Sequence, residues 1–167
     1  QALRLPQTFA FYPAQTWPHK NHVGLLRALA QLRVRDGARL DLVCTGARND
    51  YHETVAAEVV RLGLGDAVHF LGYVPEAVLG VLYRSALFTV NPSLFEGAGL
   101  TVLEAFQAGA PMACSSRTSL PEYAGDAALL FDPRDECATI DALRRMLLDE
   151  ALRRELAVRG AARARLF

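Results

Sequence analysis

Long apolar runs are missing from this 167-residue chain: none approaches the roughly 20 residues that a bilayer crossing needs. An excess of either charge is missing too. Lys plus Arg number 18 and Asp plus Glu number 18, so the net charge is zero. A domain that neutralises a phosphate backbone carries a positive surplus, which argues against nucleic-acid binding as the main task. Cysteine is sparse, with Cys44, Cys114 and Cys137 far apart and odd in number. A disulfide scaffold uses dense, even sets, and no C-x-x-C pair offers a zinc site, so a reducing compartment is expected. No D-x-D and no cluster of His with carboxylates marks a metal site, so none is assigned. The opening Gln1-Ala2-Leu3-Arg4 has no signal-peptide pattern and no initiator Met, which leads us to expect a processed chain or a piece of a longer one.

Apolar residues are plentiful, at 51% with 22% charged and a mean hydropathy of +0.13, enough to build a core and to exclude general disorder. Their pattern alternates. Short, almost wholly apolar runs at Thr8–Tyr12, Leu40–Cys44, Val68–Leu71, Leu87–Val90, Pro111–Cys114 and Ala128–Phe131 read as strands buried on both faces. Between and after them, Asn21–Leu32, Glu53–Leu62, Pro75–Arg84, Leu100–Ala108, Asp135–Leu148 and Leu152–Arg165 read as helices. In the first of these, Val23, Leu26, Leu29 and Ala30 share a face, and Gly63 stops the second. Strands alternating with helices build βαβ units. The expectation is a single domain over residues 1–167: α/β, Rossmann-like and doubly wound, with a mostly parallel six-stranded sheet and helices on both faces. There are no internal repeats, and no linker interrupts it.

Open sheets of this kind bind ligands outside the carboxyl ends of their strands. The segments to inspect are therefore 13–20, 45–50, 72–75, 91–100 and 115–121. The richest is Asn91–Pro111, NPSLFEGAGLTVLEAFQAGAP. A strand ends, a loop carries Glu96, Gly97 and Gly99, and a helix brings Glu104. Glycines let backbone amides approach a bound group, and a helix start favours an anion. Carboxylates beside an anion site suit a sugar nucleotide, whose hydroxyls they accept while amides and a cation hold the diphosphate. Lys20, after the first strand and at the same edge, is the candidate cation.

The stretch from Phe95 to Asp135, FEGAGLTVLEAFQAGAPMACSSRTSLPEYAGDAALLFDPRD, closely resembles the group 1 (family four) retaining glycosyltransferases, specifically the donor-binding C-terminal half of their GT-B fold. The E-G-x-G-L loop and S-L-P-E-x-x-G-D-A-A are both present, and Gly72–Ser93 and the loop ending Lys20-Asn21 fit as well. The resemblance covers essentially the whole chain. It implies that Glu96 meets hydroxyls of the transferred sugar, Glu104 the nucleotide ribose and Lys20 the diphosphate, so that Lys20 and Glu96 carry catalysis. It implies that amides of Gly97, Ala98, Gly99, Leu100 and Thr101 face sugar and phosphates, and that the backbone at Val74 reads the base. The implied donor is a UDP- or GDP-sugar, with no resident cofactor and no metal. The implied acceptor is a sugar or lipid-linked hydroxyl, held by an N-terminal domain that this chain does not contain. The expected work is cell-envelope polysaccharide or glycolipid synthesis in the cytoplasm or at the inner face of the membrane, with peripheral membrane association of the full enzyme and no nucleic acid. In such retaining enzymes the departing phosphate takes the acceptor's proton, and neither Glu is a nucleophile. The chain alone is expected to bind donor weakly and not to turn it over.

One position departs from the family. Five residues before Lys20, where the family often has an Arg, stands Gln15. One cation suffices, or Arg48 or Arg117 supplies another, or donor affinity is lower. Two other readings of the chain stay open: a GT-B-fold sugar-nucleotide epimerase, and a nucleotide-sugar-binding module without catalysis. Among the remaining polar residues, Glu122 reads as a helix-start acid. His19 and His22 have a spacing that permits a shared metal but lack a third ligand. The arginine-rich terminal helices read as a solvated face.

Overall fold

The computed structural model describes residues 5–167. Six strands form one sheet: β1 (Phe9–Pro13), β2 (Asp41–Thr45), β3 (Val68–Phe70), β4 (Phe88–Asn91), β5 (Met112–Ser115) and β6 (Leu129–Phe131). Their order is β3-β2-β1-β4-β5-β6, and every pairing is parallel. The "mostly parallel" expectation therefore sharpens to wholly parallel. The helices are α1 (His22–Asp36), α2 (His52–Arg61), α3 (Glu76–Ser85), α4 (Leu100–Gln107), α5 (Leu120–Ala124), α6 (Glu136–Leu148) and α7 (Glu150–Arg163).

Alternation along each strand divides the core in two. Ala10 and Tyr12 of β1 and Leu42 and Cys44 of β2 pack with Leu25, Leu29 and Leu32 of α1, Val55 of α2, and Ile140 and Leu143 of α6. Their neighbours Phe9, Phe11 and Val43 point to the other face, against Leu82 of α3, Val102 and Phe106 of α4, and Leu120 of α5. Both faces are thus covered, as right-handed parallel connections require. Cys44 and Cys114 are buried in these clusters, and Cys137 is exposed.

Two differences from the sequence pattern have simple causes. Helix α1 runs four residues beyond Leu32, to a left-handed cap at Gly37 with φ 60°. Arg33, Val34, Arg35 and Asp36 are exposed, so the apolar period ends while the helix continues. Its buried stripe is Leu25, Leu26, Leu29 and Leu32, with Val23 and Ala30 only half-buried. Helix α5 is missing from the periodic segments, because five residues are too few to show a period; only the reading of Glu122 as a helix-start acid points to it. No helix among the described residues is long and apolar enough to cross a membrane.

Candidate functional site

The strand order creates the site. The chain steps outward from β1 to β2 and β3, then returns to β4 on β1's other side and continues to β5 and β6. The loops leaving β1 and β4 therefore diverge from adjacent strands, which opens a crevice between them. Lys20 comes from the first loop and Glu96 from the second.

Those two side chains meet. Lys20 Nζ lies 2.6 Å from Glu96 Oε1. The same oxygen accepts from Ser93 Oγ at 2.7 Å and, more weakly, from Asn91 Nδ2 at 3.4 Å. Glu96 Oε2 makes no hydrogen bond to the described residues. The loop that carries Glu96 is braced from β5: Glu96 N donates to Thr118 Oγ1 at 3.0 Å, and Ser119 Oγ donates to Glu96 O at 2.9 Å. Thr118 adopts φ 54° to do so, a backbone conformation uncommon outside glycine.

The Lys20 loop is stitched to its neighbours in turn. Residues 18–20 form a 3₁₀ turn, and Asn21, at φ 57°, begins α1. Its amide donates to the carbonyls of Pro92 and Pro133, each at 3.2 Å. Gly24 makes this possible, because a Cβ there would collide with the folded-back Asn21 side chain. Tyr12 lies beneath: its hydroxyl donates to Lys20 O at 2.7 Å and is 3.3 Å from Ser93 Oγ. Burial pushes the Tyr12 phenol well above its usual pKa, so it stays protonated. His22 stacks on Tyr12 with ring centroids 4.6 Å apart. Neither ring nitrogen makes a well-formed hydrogen bond. Burial outweighs the raising influence of the Ala14 backbone and brings His22 down to about 4, so the ring is neutral at pH 7. His19 is exposed, and no group of three or more metal-ligating side chains lies together among the described residues.

Glu104 belongs to a second part of the crevice. With Val74, Leu100 and Thr101 it lines a cleft of about 320 Å³ that also takes in Gln15, Thr45, Gly46 and Tyr73. Gly46 lies at the end of β2 with φ 127°, and a Cβ on it would come within 2.7 Å of Gln15 N, so the β1 and β2 loops touch backbone to backbone. Gly99 is buried at the start of α4, where an added Cβ would fall 2.5 Å from the Tyr123 ring. Gly97 and Ala98 are exposed beside it and do not line the cleft. Glu104 is itself exposed, and one of its oxygens, Oε2, accepts from Tyr83 Oη at 2.7 Å.

The structure thus brings the anticipated residues into two groups. Lys20 pairs with Glu96, while Val74, Leu100, Thr101 and Glu104 share the adjoining cleft. Of the two arginines considered beside Gln15, Arg117 is committed elsewhere, in a two-pronged contact with Asp132 at 2.7 and 3.2 Å. Arg48 is exposed and forms no ion pair among the described residues. Gln15 Oε1 accepts from Trp17 Nε1 at 2.9 Å, which leaves its NH₂ as the group without a partner among the described residues. Ser93, Gly46, Tyr73, Thr118 and Ser119 lie in the loop segments that the sequence marked for inspection, though none was singled out. Tyr83 lies on a helix, and no local signal pointed to it.

Comparison with known proteins is consistent across the chain. Residues 1–163 match the family described as glycosyl transferases group 1. The O-antigen chain mannosyltransferase B of Escherichia coli is 38% identical over 162 residues, 96% of this chain and 42% of that protein. The MMP alpha-(1->4)-mannosyltransferase of Mycolicibacterium hassiacum is 35% identical over 150 residues, 88% of this chain and 36% of its own length. Among solved structures, the sucrose-phosphate synthase of Thermosynechococcus elongatus superposes with a TM-score of 0.88 at 27% identity, over 97% of this chain and 42% of that one. The chain therefore spans about two fifths of the length of these relatives.

Proposed function

The chain belongs to the group 1 glycosyltransferase family, and from that premise we propose that it is the donor half of a retaining enzyme acting on a nucleotide-diphosphate sugar. The observation that carries this reading is the division of the crevice: a paired cation and carboxylate at one end, and an open cleft with a solvent-reachable carboxylate at the other. A nucleotide sugar has matching parts. Its base and ribose suit the cleft, the base against the backbone at Val74 and the ribose hydroxyls on Glu104. Its diphosphate suits Lys20 and the amides at the start of α4, and its sugar hydroxyls suit Glu96.

In this reading the bond between the anomeric carbon and the diphosphate oxygen breaks, and its electron pair leaves with the diphosphate. Lys20 and the helix amides neutralise the charge that gathers there, which is why we propose a reaction without a metal. The acceptor hydroxyl attacks from the same face and yields its proton to the departing phosphate, so retention needs no protein nucleophile. Glu96 keeps Ser93 and Asn91 as partners when Lys20 turns to the ligand, so its carboxylate remains oriented.

Both curated relatives are mannosyltransferases by name, so mannose is the first sugar to test, and envelope polysaccharide the proposed product. The acceptor, and any contact with the membrane surface, we assign to polypeptide that this chain does not include. The test is calorimetric titration with UDP, GDP and their sugar conjugates, with and without magnesium. We expect selective, magnesium-independent binding by one base, weakened on the order of 10- to 100-fold in Lys20→Ala. Binding that requires magnesium, or that ignores Lys20, would overturn the reading.

A further inference from the structure

Glu104 stands between two hollows. One is the 320 Å³ cleft already described. The other, of about 280 Å³, lies between α3 and α4 and is lined by Glu76, Gly80, Tyr83, Arg84 and Gln107 as well as by Glu104 itself. An exposed glutamate has three side-chain torsions, and nothing in its own helix keeps its head on one side of that boundary rather than the other. Tyr83 does. Its ring is 2% exposed and meets Phe11 edge-on, with centroids 5.1 Å apart and planes at 87°. It has only two torsions, both fixed by packing, and its hydroxyl donates to Glu104 Oε2 at 2.7 Å. Oε1 makes no hydrogen bond to the described residues. A rigid, buried donor has thus taken one oxygen of a mobile, exposed carboxylate.

We infer that Tyr83 is a positioning residue: by holding Oε2 it presents Glu104 Oε1 to the cleft as an acceptor for a ligand hydroxyl pair, and so sets the preference for a ribose over a deoxyribose. This rests on the reading of Glu104 as the ribose partner. Tyr83 keeps its proton, and so its donor, at neutral pH, because burial, reinforced by the Glu104 carboxylate, pushes its phenol far above the usual range. Without that bond the carboxylate would sample both hollows and accept the diol for only part of the time.

The experiment titrates the chain with UDP and GDP and with their 2′,3′-dideoxy counterparts. A hydrogen bond to a charged acceptor corresponds to roughly tenfold or more in affinity. For whichever nucleotide binds, wild type is expected to prefer the ribose form by about that factor. Tyr83→Phe should bring the preference to within about threefold while leaving dideoxy affinity unchanged, and should have no further effect in a Glu104→Ala background. Thermal unfolding of the variant checks the core around Phe11. If Tyr83→Phe does not fold, Glu104→Asp withdraws the carboxylate from the hydroxyl at an exposed position and should abolish the preference instead. A full ribose preference in folded Tyr83→Phe overturns the inference alone, whereas a full preference in Glu104→Asp overturns it together with the reading of Glu104. A wild-type chain that does not distinguish the two sugars overturns the reading of Glu104 and this inference with it.

Discussion

The two ends of the crevice are built on opposite plans. At the end formed by the β1 and β4 loops, charge is already matched: Lys20 and Glu96 hold each other, Ser93 and Asn91 share the same oxygen, and Tyr12 and His22 seal the floor. At the end formed with the β2 and β3 loops, little is matched. The cleft is open, and Glu104 Oε1 and the Gln15 amide donors have no partner among the described residues. A ligand taken up by Lys20 at the first end would have to displace an internal partner, and one in the cleft at the second would not. The comparison teaches that charge at a site can be a barrier as well as an attraction. A cation that is already paired attracts a diphosphate by the difference between two partners, not by its full charge.

The largest expected effect breaks the closed end from below. His22 is buried and neutral, with its pKa lowered from 6.5 to about 4. The unfolded chain takes up a proton there at a higher pH than the native one does. The stability that His22 confers is therefore complete above about pH 6.5 and is lost as pH falls towards 4, by roughly 3 kcal/mol in all. Urea unfolding at pH 7.5 and pH 5 should show the loss, and His22→Phe should flatten it. An unchanged slope in that variant would assign the acid sensitivity to other groups.

Next comes Lys20→Ala, which removes the cation but leaves Glu96 with Ser93 and Asn91. Nucleoside diphosphate affinity should fall by on the order of 10- to 100-fold, the worth of a charge-assisted hydrogen bond, while nucleoside binding in the cleft is spared. Equal losses for both ligands would erase the distinction between the ends. Gly99→Ala tests the joint between them. Its Cβ would press into the Tyr123 ring, and we expect about 2 kcal/mol of destabilisation, read as a shifted urea midpoint at constant slope.

The smallest effect sharpens the comparison most. Glu96→Gln frees Lys20 from its internal partner. A sugar-free nucleoside diphosphate should then bind about two- to fivefold more tightly, the scale of a partly exposed ion pair, whereas the sugar conjugate should lose a hydroxyl contact and gain nothing. Weaker binding of both would show that the pair is no barrier.

The sequence carried much of this, at one level. Six apolar runs separated by helix-length patterns are enough to name a doubly wound sheet. Carboxyl-edge loops are enough to place Lys20 and Glu96 on the same edge. What alternation does not contain is the order of strands. That Lys20 and Glu96 touch follows from β4 lying beside β1, and no periodicity states that. Tyr83 was illegible for a related reason. It sits on the buried side of the last turn of α3, where an aromatic residue most often fills core, and only the placement of α3 beside α4 turns its hydroxyl towards Glu104. Ser93 and Thr118 were within reach, since both follow strands, but a hydroxyl in a loop has many ordinary uses. The overrun of α1 past Leu32 marks the limit of apolar period as a ruler: it measures the buried part of a helix, not the helix.

The sheet ends on both sides in strands of three residues, β3 and β6. Each lateral border therefore shows only a stub of unpaired backbone, too short to template a strand from another molecule. Charge stands guard at both: Arg39 with Asp41 and Asp66 beside β3, and Arg117 with Asp132 just past β6. A wholly parallel sheet, apolar on both faces, is the kind of object that would seed aggregates if its rims were long and bare. Here the rims are short and charged, so the sheet offers a second molecule little backbone to pair with.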